Sequence, residues 1–155
     1  MAIHITLVSP EIPPNTGNIS RLCAATNTVL HLVEPLGFSL EDRQLKRAGL
    51  DYWHLLQVQV HKNWSSFLES TVPSRRFYIE TKGLRSYHQV SYQNGDYLIF
   101  GSETKGLPTE LLQLEPESIL RIPIISGARS LNLASSVAIV LFEALRQLDY
   151  PDLSG

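Results

Sequence analysis

The sequence has one cysteine, Cys23, and no apolar run long enough to form a membrane-spanning helix. A single cysteine excludes an internal disulfide framework and a zinc site built from cysteines. A bilayer requires roughly 18 consecutive apolar residues, and no stretch approaches that length. The N-terminal segment begins directly with apolar residues and has no basic flank, so we expect no secretory signal and a reducing, cytoplasmic setting.

A strong net charge is also absent. The 13 Lys and Arg residues and the 15 Asp and Glu residues give a net charge of −2 at pH 7. This balance disfavours a protein that binds nucleic acid through charge alone, although it leaves room for a local basic patch. A chain of 155 residues of which 43% are hydrophobic is typical of one folded unit, so we interpret residues 1–155 as a single domain.

Short apolar runs alternate with segments of helical spacing along the chain. The predicted strands are Ile3–Val8, Val29–Val33, Leu55–Val60, Phe77–Ile79, Tyr97–Phe100 and Ile119–Ile122. The predicted helices are Gly17–Thr26, Leu40–Lys46, Trp64–Glu69, Pro108–Leu112 and Asn132–Leu148. This alternation predicts an α/β fold with a mostly parallel sheet and helices on both faces.

Three polar loops follow predicted strands, at residues 9–18, 101–108 and 123–132. Because the carboxyl ends of parallel strands meet at one edge of a sheet, these loops predict a pocket there. The second loop has G-x-x-x-x-G spacing, but Leu107-Pro108 stands where a phosphate-binding loop has Lys-Ser/Thr, which argues against a nucleotide triphosphatase. Glu103 and Lys105 in this loop are either functional groups or solvated charges.

The first loop leads into a predicted helix that begins after two prolines, with Asn15 or Thr16 as its cap. Asn18 and Arg21 are three residues apart and share its polar face. A cation near a helix N-terminus opposes the helix dipole at a cost of roughly 0.3–1 kcal/mol, which a bound phosphate would offset. The alternative interpretation is a solvated surface arginine.

The last predicted helix is apolar nearly all round. Such a helix requires burial on every side, which a monomer of this size has little room to provide, so we expect a homodimer with this helix in its interface. Ser130 and Asn132 precede the helix and are natural caps. The five histidines lie on separate segments without the spacing of metal ligands, so we expect no metal site.

Five segments carry a resemblance to a known family. They are N-T-G-N-I-x-R-L-C-A at 15–24, H-L-V-E-P-L-G-F at 31–38, R-A-G-L-D-Y at 47–52, F-G-x-E-T-K-G-L-P at 100–108 and R-I-P-I…R-S-L-N-L at 121–133. With these segments in this order, the chain resembles the small tRNA 2′-O-methyltransferases that act on the wobble cytidine or uridine, within the SPOUT (trefoil-knot) superfamily. The resemblance extends from Pro10 to about Tyr150, nearly the whole chain.

The resemblance implies a deep trefoil knot in the C-terminal part, S-adenosyl-L-methionine as methyl donor and an obligate homodimer, with no metal and no membrane. The implied cofactor-binding residues are Ile79, Gly101, Ile122, Ser130 and Leu131. The implied catalytic residues are Arg21, Asn15, Asn18, Glu103 and Asn132. This requires Arg21 to face the crevice of the later loops, in its own subunit or in the partner.

Two roles for Arg21 stay open, because arginine is effectively always protonated and is therefore a poor base. Arg21 either stabilises the developing alkoxide or acts together with a substrate phosphate that accepts the proton.

The implied substrate is the anticodon arm of tRNA, in particular leucine tRNAs. The candidate RNA-binding residues are Arg43, Lys46, Arg47 and Lys105. One alternative is 2′-O-methylation of another tRNA position or of ribosomal RNA by the same fold. A more remote alternative is a non-catalytic nucleotide- or RNA-binding module.

Overall fold

The computed structural model describes residues 2–49, 54–71 and 75–155. The strands are β1 (His4–Val8), β2 (Val29–Val33), β3 (Gln57–His61), β4 (Arg76–Ile79), β5 (Arg85–Ser86), β6 (Tyr97–Phe100) and β7 (Ile119–Arg121). The helices are α1 (Pro13–Ala25), α2 (Arg43–Gly49), α3 (Trp64–Ser70), α4 (Thr109–Leu114) and α5 (Leu133–Gln147). The second half of the R-A-G-L-D-Y motif, residues 50–52, lies outside the described residues.

The seven strands form one sheet in the order β3-β2-β1-β6-β4-β7-β5, and every pair of neighbours is parallel. The predicted α/β fold with a mostly parallel sheet is therefore confirmed. All six predicted strands are present. The strand β5 was not predicted, because two residues of mixed polarity carry no periodic signal.

Helices cover both faces of the sheet, as predicted. On one face, α1 and α5 pack on alternate strand residues such as Ile5 and Leu98, and α2 packs against α1. On the other face, Phe67 of α3 and Leu111 of α4 pack against Ile99. A parallel sheet covered in this way is buried on both faces, which explains why its central strands are nearly continuous apolar runs.

The helix α1 begins earlier than predicted. It starts at Pro13, with the two prolines in its first turn and Ile12 as a cap residue that makes no side-chain hydrogen bond. Proline is tolerated there because first-turn N–H groups have no partner within the helix. The prediction of Asn15 or Thr16 as the cap was therefore wrong. Arg21 consequently lies past the middle of α1, so the argument that it opposes the dipole of a helix N-terminus was also wrong.

The parallel arrangement places the functional loops at one edge. The adjacent strands β1, β6, β4 and β7 have their carboxyl ends on the same side, and each continues into a polar loop. The trefoil knot implied by the resemblance stays a prediction. In the described part of the chain, no helix is both long and apolar enough to cross a membrane.

Candidate active site

A crevice of ≈ 650 Å³ lies at the carboxyl edge of the sheet. Its wall combines apolar side chains with main-chain and polar groups of three loops. The lining residues are Ile12, Asn15, Ile79, Glu80, Thr81, Phe100, Gly101, Ser102, Glu103, Thr104, Lys105, Gly106, Ile122, Ile124, Arg129, Ser130, Leu131, Asn132, Leu133 and Ser136. Ligand sites of ≈ 300–1,000 Å³ with an apolar wall and a few polar groups are typical of small-molecule and cofactor binding.

Most of the residues singled out in the sequence converge on this crevice. Those that line it are Asn15, Ile79, Gly101, Glu103, Ile122, Ser130, Leu131 and Asn132. Asn18 and Arg21 are exposed residues of α1 and do not line the crevice of their own chain. Arg21 lies about 9 Å further along the helix axis than Asn15, since six residues separate them.

Glu103 ties the crevice loop to the start of α1. Its Oε1 accepts a hydrogen bond from the N–H of Glu11 at 2.8 Å, and its Oε2 accepts one from the N–H of Ile12 at 2.9 Å. The amide Nδ2 of Asn15 also donates to Oε2, at 3.2 Å. A carboxylate beside the first turn of a helix is favoured by the helix dipole and by charge-assisted hydrogen bonds. Glu103 thus supplies, from a distant loop, the anion that α1 lacks in its own first turn.

Asn15 and Asn132 extend this network to α5. The Nδ2 of Asn132 donates to Oδ1 of Asn15 at 3.1 Å. The Oδ1 of Asn132 accepts from the N–H of Ser135 at 3.2 Å, so Asn132 is the cap of α5, as its sequence position predicted. Three of the predicted catalytic residues therefore form one hydrogen-bonded chain that joins the crevice loop to both α1 and α5.

The loop 101–106 folds back closely on itself. A Cβ atom on Gly101 would lie 2.1 Å from the carbonyl carbon of Gly106, so only glycine fits there. The N–H of Gly106 donates to the carbonyl of Ser102 at 3.0 Å. In addition, Oε1 of Glu11 accepts from the N–H and the hydroxyl of Thr104, at 3.1 and 2.6 Å. The hydroxyl, followed by the N–H, lowers the pKa of Glu11.

Two charged residues in the crevice were not singled out as site residues in the sequence. Glu80 directly follows the end of β4, and Arg129 lies in the loop before α5. The available signal for Glu80 was its place at the carboxyl end of a central parallel strand, where ligand-binding residues collect.

A second polar cluster lies on the α3 face of the sheet. His4 and His31 are hydrogen-bonded through Nδ1 and Nε2 at 2.9 Å, and His31 and His61 are joined in the same way at 2.9 Å. The hydroxyl of Ser70 lies 3.1 Å from Nδ1 of His61. Phe67 packs edge-on against His31 and His61. We name His4, His31, His61 and Ser70 the histidine chain.

Burial is the main cause of the unusual titration of this chain. It lowers the pKa of His31 to about 3, and His4 and His61 lower it further by charge repulsion. Burial likewise lowers the pKa of His4 and of His61. The rings are therefore neutral near pH 7. Within the described residues there is no group of three or more His, Cys, Asp or Glu arranged to hold a metal ion.

Comparison with known proteins shows the family of this chain. The sequence profile of the SpoU rRNA Methylase family matches residues 2–142. The chain belongs to the SpoU methylase family. The resemblance identified from the sequence motifs is thus confirmed, and this SpoU methylase is a methyltransferase enzyme.

Similar proteins carry narrower descriptions. The tRNA (cytidine(34)-2′-O)-methyltransferase of Escherichia coli (strain K12) is 51% identical over 150 residues, which cover 96% of each chain. A solved structure concerned with 2-OH methylation of C/U34 on tRNA is 44% identical with a TM-score of 0.92, over 96% of this SpoU methylase and 97% of that chain. An AdoMet-bound rRNA methyltransferase from Sinorhizobium meliloti is 27% identical with a TM-score of 0.85, over 99% of this chain and 57% of the other.

Proposed function

We propose that this SpoU methylase transfers a methyl group from S-adenosyl-L-methionine to the ribose 2′-hydroxyl of nucleotide 34 of tRNA, a cytidine or uridine. The observation that carries the proposal is the crevice, where the family motifs at 15–24, 100–108 and 121–133 meet. Its support is the likeness over nearly the full length to proteins described as acting on that nucleotide.

The crevice fits the methyl donor in size and chemistry. Its volume of ≈ 650 Å³ suits a ligand of nucleoside size. Ile79, Ile122 and Leu131 offer apolar area for a flat base, and the loop 101–106 offers main-chain amides and carbonyls next to glycines that allow close approach. When bound, S-adenosyl-L-methionine supplies a methyl group on a positively charged sulfur. We propose Ile79, Gly101, Ile122, Ser130 and Leu131 as its binding residues.

The catalytic group is proposed to come from a second copy of the chain. Arg21 and Asn18 are on the exposed side of α1 and do not line their own crevice. Beside them, a groove between α1, α5 and the C-terminal residues is lined by Leu22, Ala25, Thr26, Phe142, Tyr150, Asp152, Leu153, Ser154 and Gly155. Phe142 and Tyr150 are 42% and 41% exposed. Exposed apolar area of this kind favours an interface.

A homodimer through this surface would complete the site. At the crevice mouth, Ile12 and Leu131 are also exposed apolar residues, 42% and 38%. The side chains of α5 that face away from the sheet, Ala138, Ile139 and Phe142, are partly or largely exposed. One continuous contact from the crevice mouth to the α1–α5 groove would bring Arg21 and Asn18 of the partner subunit toward the crevice. The homodimer expected from the apolar character of α5 would thus also supply the catalytic residues.

In the proposed mechanism, the guanidinium of Arg21 stabilises the negative charge that develops on the 2′-oxygen as its proton leaves. In this role the proton passes to solvent. In the alternative role a phosphate of the substrate accepts the proton, and Arg21 holds that phosphate in place. Asn18 supports Arg21 from the same helix face. Asn15, Glu103 and Asn132 hold α1, α5 and the crevice loop in register through the network described above. Correct placement of both reactants then contributes much of the acceleration.

We further propose that the substrate is the anticodon arm of leucine tRNAs, in the cytoplasm. Arg43, Lys46 and Arg47 of α2 are exposed, and Lys105 is exposed at the crevice. These four cations are the proposed phosphate contacts.

The experiment is methylation of unmodified tRNA by the purified protein with S-adenosyl-L-methionine, followed by mapping of ribose methylation. We expect 2′-O-methylation at nucleotide 34 of leucine tRNAs. Methylation of another tRNA position or of ribosomal RNA would replace the proposed substrate, and binding of RNA without methyl transfer would replace the proposed activity.

The homodimer is tested separately by sedimentation at micromolar concentration. We expect a dimer for the wild-type protein and a monomer for Phe142→Glu, because a charge in the α1–α5 groove must be desolvated on association. A monomeric wild-type protein would contradict the proposed shared site.

A further inference from the structure

Glu80 is held in the crevice wall by two main-chain groups. It directly follows β4, and its side chain is half-buried. Its Oε2 accepts the N–H of Leu107 at 3.2 Å, and its Oε1 accepts the N–H of Thr81 at 3.2 Å. Each carboxylate oxygen therefore has its own main-chain donor, one from each of two loops.

The hydrogen bond from Leu107 joins the end of the loop 101–106 to the end of β4, whereas the hydrogen bond from Thr81 fixes the carboxylate to its own segment. Gly106 has a φ of +66°, and a Cβ there would lie 3.0 Å from Oε2 of Glu80, so the carboxylate packs directly against this glycine. The start of the same loop is fixed to α1 by Glu103, and its middle is fixed by Glu11 through Thr104. Glu80 fixes the opposite end.

We propose that Glu80 is a positioning residue of the cofactor site. It sets the main chain of Gly106–Leu107 and of Thr81, and these groups rather than its own carboxylate shape the cofactor-binding surface. The inference rests on the proposed function, since it assigns Glu80 a part in binding S-adenosyl-L-methionine. A loop that must be ordered on binding loses affinity, so a loop ordered beforehand by Glu80 binds more tightly.

The test compares Glu80→Ala, which removes both acceptors, with Glu80→Gln, whose single carbonyl oxygen retains one. The matched control is Glu69→Ala, because Glu69 is an exposed carboxylate of α3 outside the crevice. By calorimetry, we expect Glu80→Ala to weaken binding of S-adenosylhomocysteine about tenfold and Glu80→Gln about threefold, as loss of two or one hydrogen bonds predicts. The KM for S-adenosyl-L-methionine should rise in parallel, while kcat at saturation stays within about twofold of wild type.

Hydrogen exchange of the cofactor-free protein provides a readout independent of activity. We expect the amide of Leu107 to exchange about tenfold faster in Glu80→Ala than in wild type or Glu69→Ala, because its acceptor is gone. If Glu80→Ala fails to fold, Glu80→Gln carries the same comparison.

Three outcomes would overturn the assignment. They are unchanged affinity in both Glu80 variants, unchanged exchange at Leu107, or a loss of affinity much larger for S-adenosyl-L-methionine than for S-adenosylhomocysteine. The last would show that the charge of Glu80 acts on the cofactor directly. Failure of the wild-type protein to bind either compound would instead contradict the proposed function, and Leu107 exchange would then decide whether Glu80 orders the loop.

Discussion

The crevice and the histidine chain lie at different places on the same sheet, and their polar side chains have different kinds of hydrogen-bond partner. In the loops that form the crevice, the carboxylates of Glu103, Glu11 and Glu80 accept hydrogen bonds mostly from main-chain N–H groups. In the histidine chain, the side chains of three neighbouring strands bind one another on an apolar face. The first arrangement fixes the path of loops, whereas the second joins strands whose path the sheet already fixes.

The hydrogen bonds of the histidine chain depend on the protonation of its three rings. Two links between three imidazoles require one proton each, so the histidine chain keeps its hydrogen bonds only with neutral rings or with one additional proton. We therefore expect mild acid to disturb the histidine chain.

Replacing Arg21, the proposed catalytic cation, should give the largest loss of activity. We expect Arg21→Ala to lower kcat by about 10²–10³-fold, because a charge that stabilises the developing alkoxide is lost. The affinity for S-adenosylhomocysteine should change little, since the proposed role of Arg21 is at the ribose 2′-oxygen and none of the proposed cofactor-binding residues is on its helix α1. Single-turnover kinetics and calorimetry provide the two measurements.

The control for Arg21 is Lys62→Ala, an exposed cation after β3 and outside the crevice. Its turnover should match that of wild type. Wild-type turnover by Arg21→Ala itself would remove Arg21 from the mechanism.

If cofactor binding depends on the path of the main chain in the loop 101–106, one added methyl group at Gly101 should weaken it strongly. In Gly101→Ala, the new Cβ would lie 2.1 Å from the carbonyl carbon of Gly106 and 2.3 Å from the nitrogen of Leu107. The loop must shift, and we expect affinity for S-adenosylhomocysteine to fall by about 30–100-fold, equivalent to about 2–3 kcal/mol. Calorimetry measures this loss.

Gly127→Ala is the matched control, because Gly127 also lies in a site loop but a Cβ there would have nothing within 4 Å. Its positive φ of +94° predicts strain of about 1 kcal/mol without a steric clash. Equal losses in the two variants would show that strain, not close approach, explains the role of Gly101.

Mild acid should lower stability through the histidine chain. The pKa of His31 is lowered to about 3 in the folded protein, whereas an unfolded histidine has a pKa near 6.5, so between these values the unfolded chain binds more protons. Stability is therefore fully present above pH 6.5 and is lost progressively as the pH falls toward 3. His31 alone should account for a loss of about 2 kcal/mol between pH 7 and pH 5.

Urea unfolding at several pH values measures this slope. His31→Gln should be less stable overall but should lose less stability on acidification, and the exposed His88→Gln should retain the wild-type slope. The same slope in His31→Gln as in wild type would show that other groups cause the acid sensitivity.

The sequence predicted the elements of this fold better than the contacts between them. The strands β1, β2 and β6 are nearly continuous apolar runs bounded by polar loops, so both their type and their bounds were readable. The start of α1 differs from the prediction because the first turn of a helix accepts proline, whereas the helix interior does not.

Long-range contacts had no comparable local signal. Glu103 and Asn15 are 88 residues apart, and the three histidines of the chain come from strands separated by 27 and 30 residues. Strand alternation placed the carboxyl ends of the strands at one edge, which predicted a pocket. It could not show which side chains bind one another there, since that depends on the order of strands in the sheet. The family motifs indicated which residues of these loops belong to the candidate site.

The smallest expected effect is on tRNA binding by the exposed cations of α2, which lie outside the crevice. If Arg43 and Arg47 contact phosphates, replacing either by Ala should weaken tRNA binding only a few-fold and should reduce the slope of log K against log salt by about 0.7–0.9. Lys46→Ala should change the slope less, because Nζ of Lys46 is already paired with Glu41 at 2.6 Å. Filter binding from 50 to 300 mM salt measures these slopes, with Lys62→Ala as control. Identical slopes for all variants would exclude α2 from the RNA interface and leave Lys105, at the crevice itself, as the remaining proposed contact.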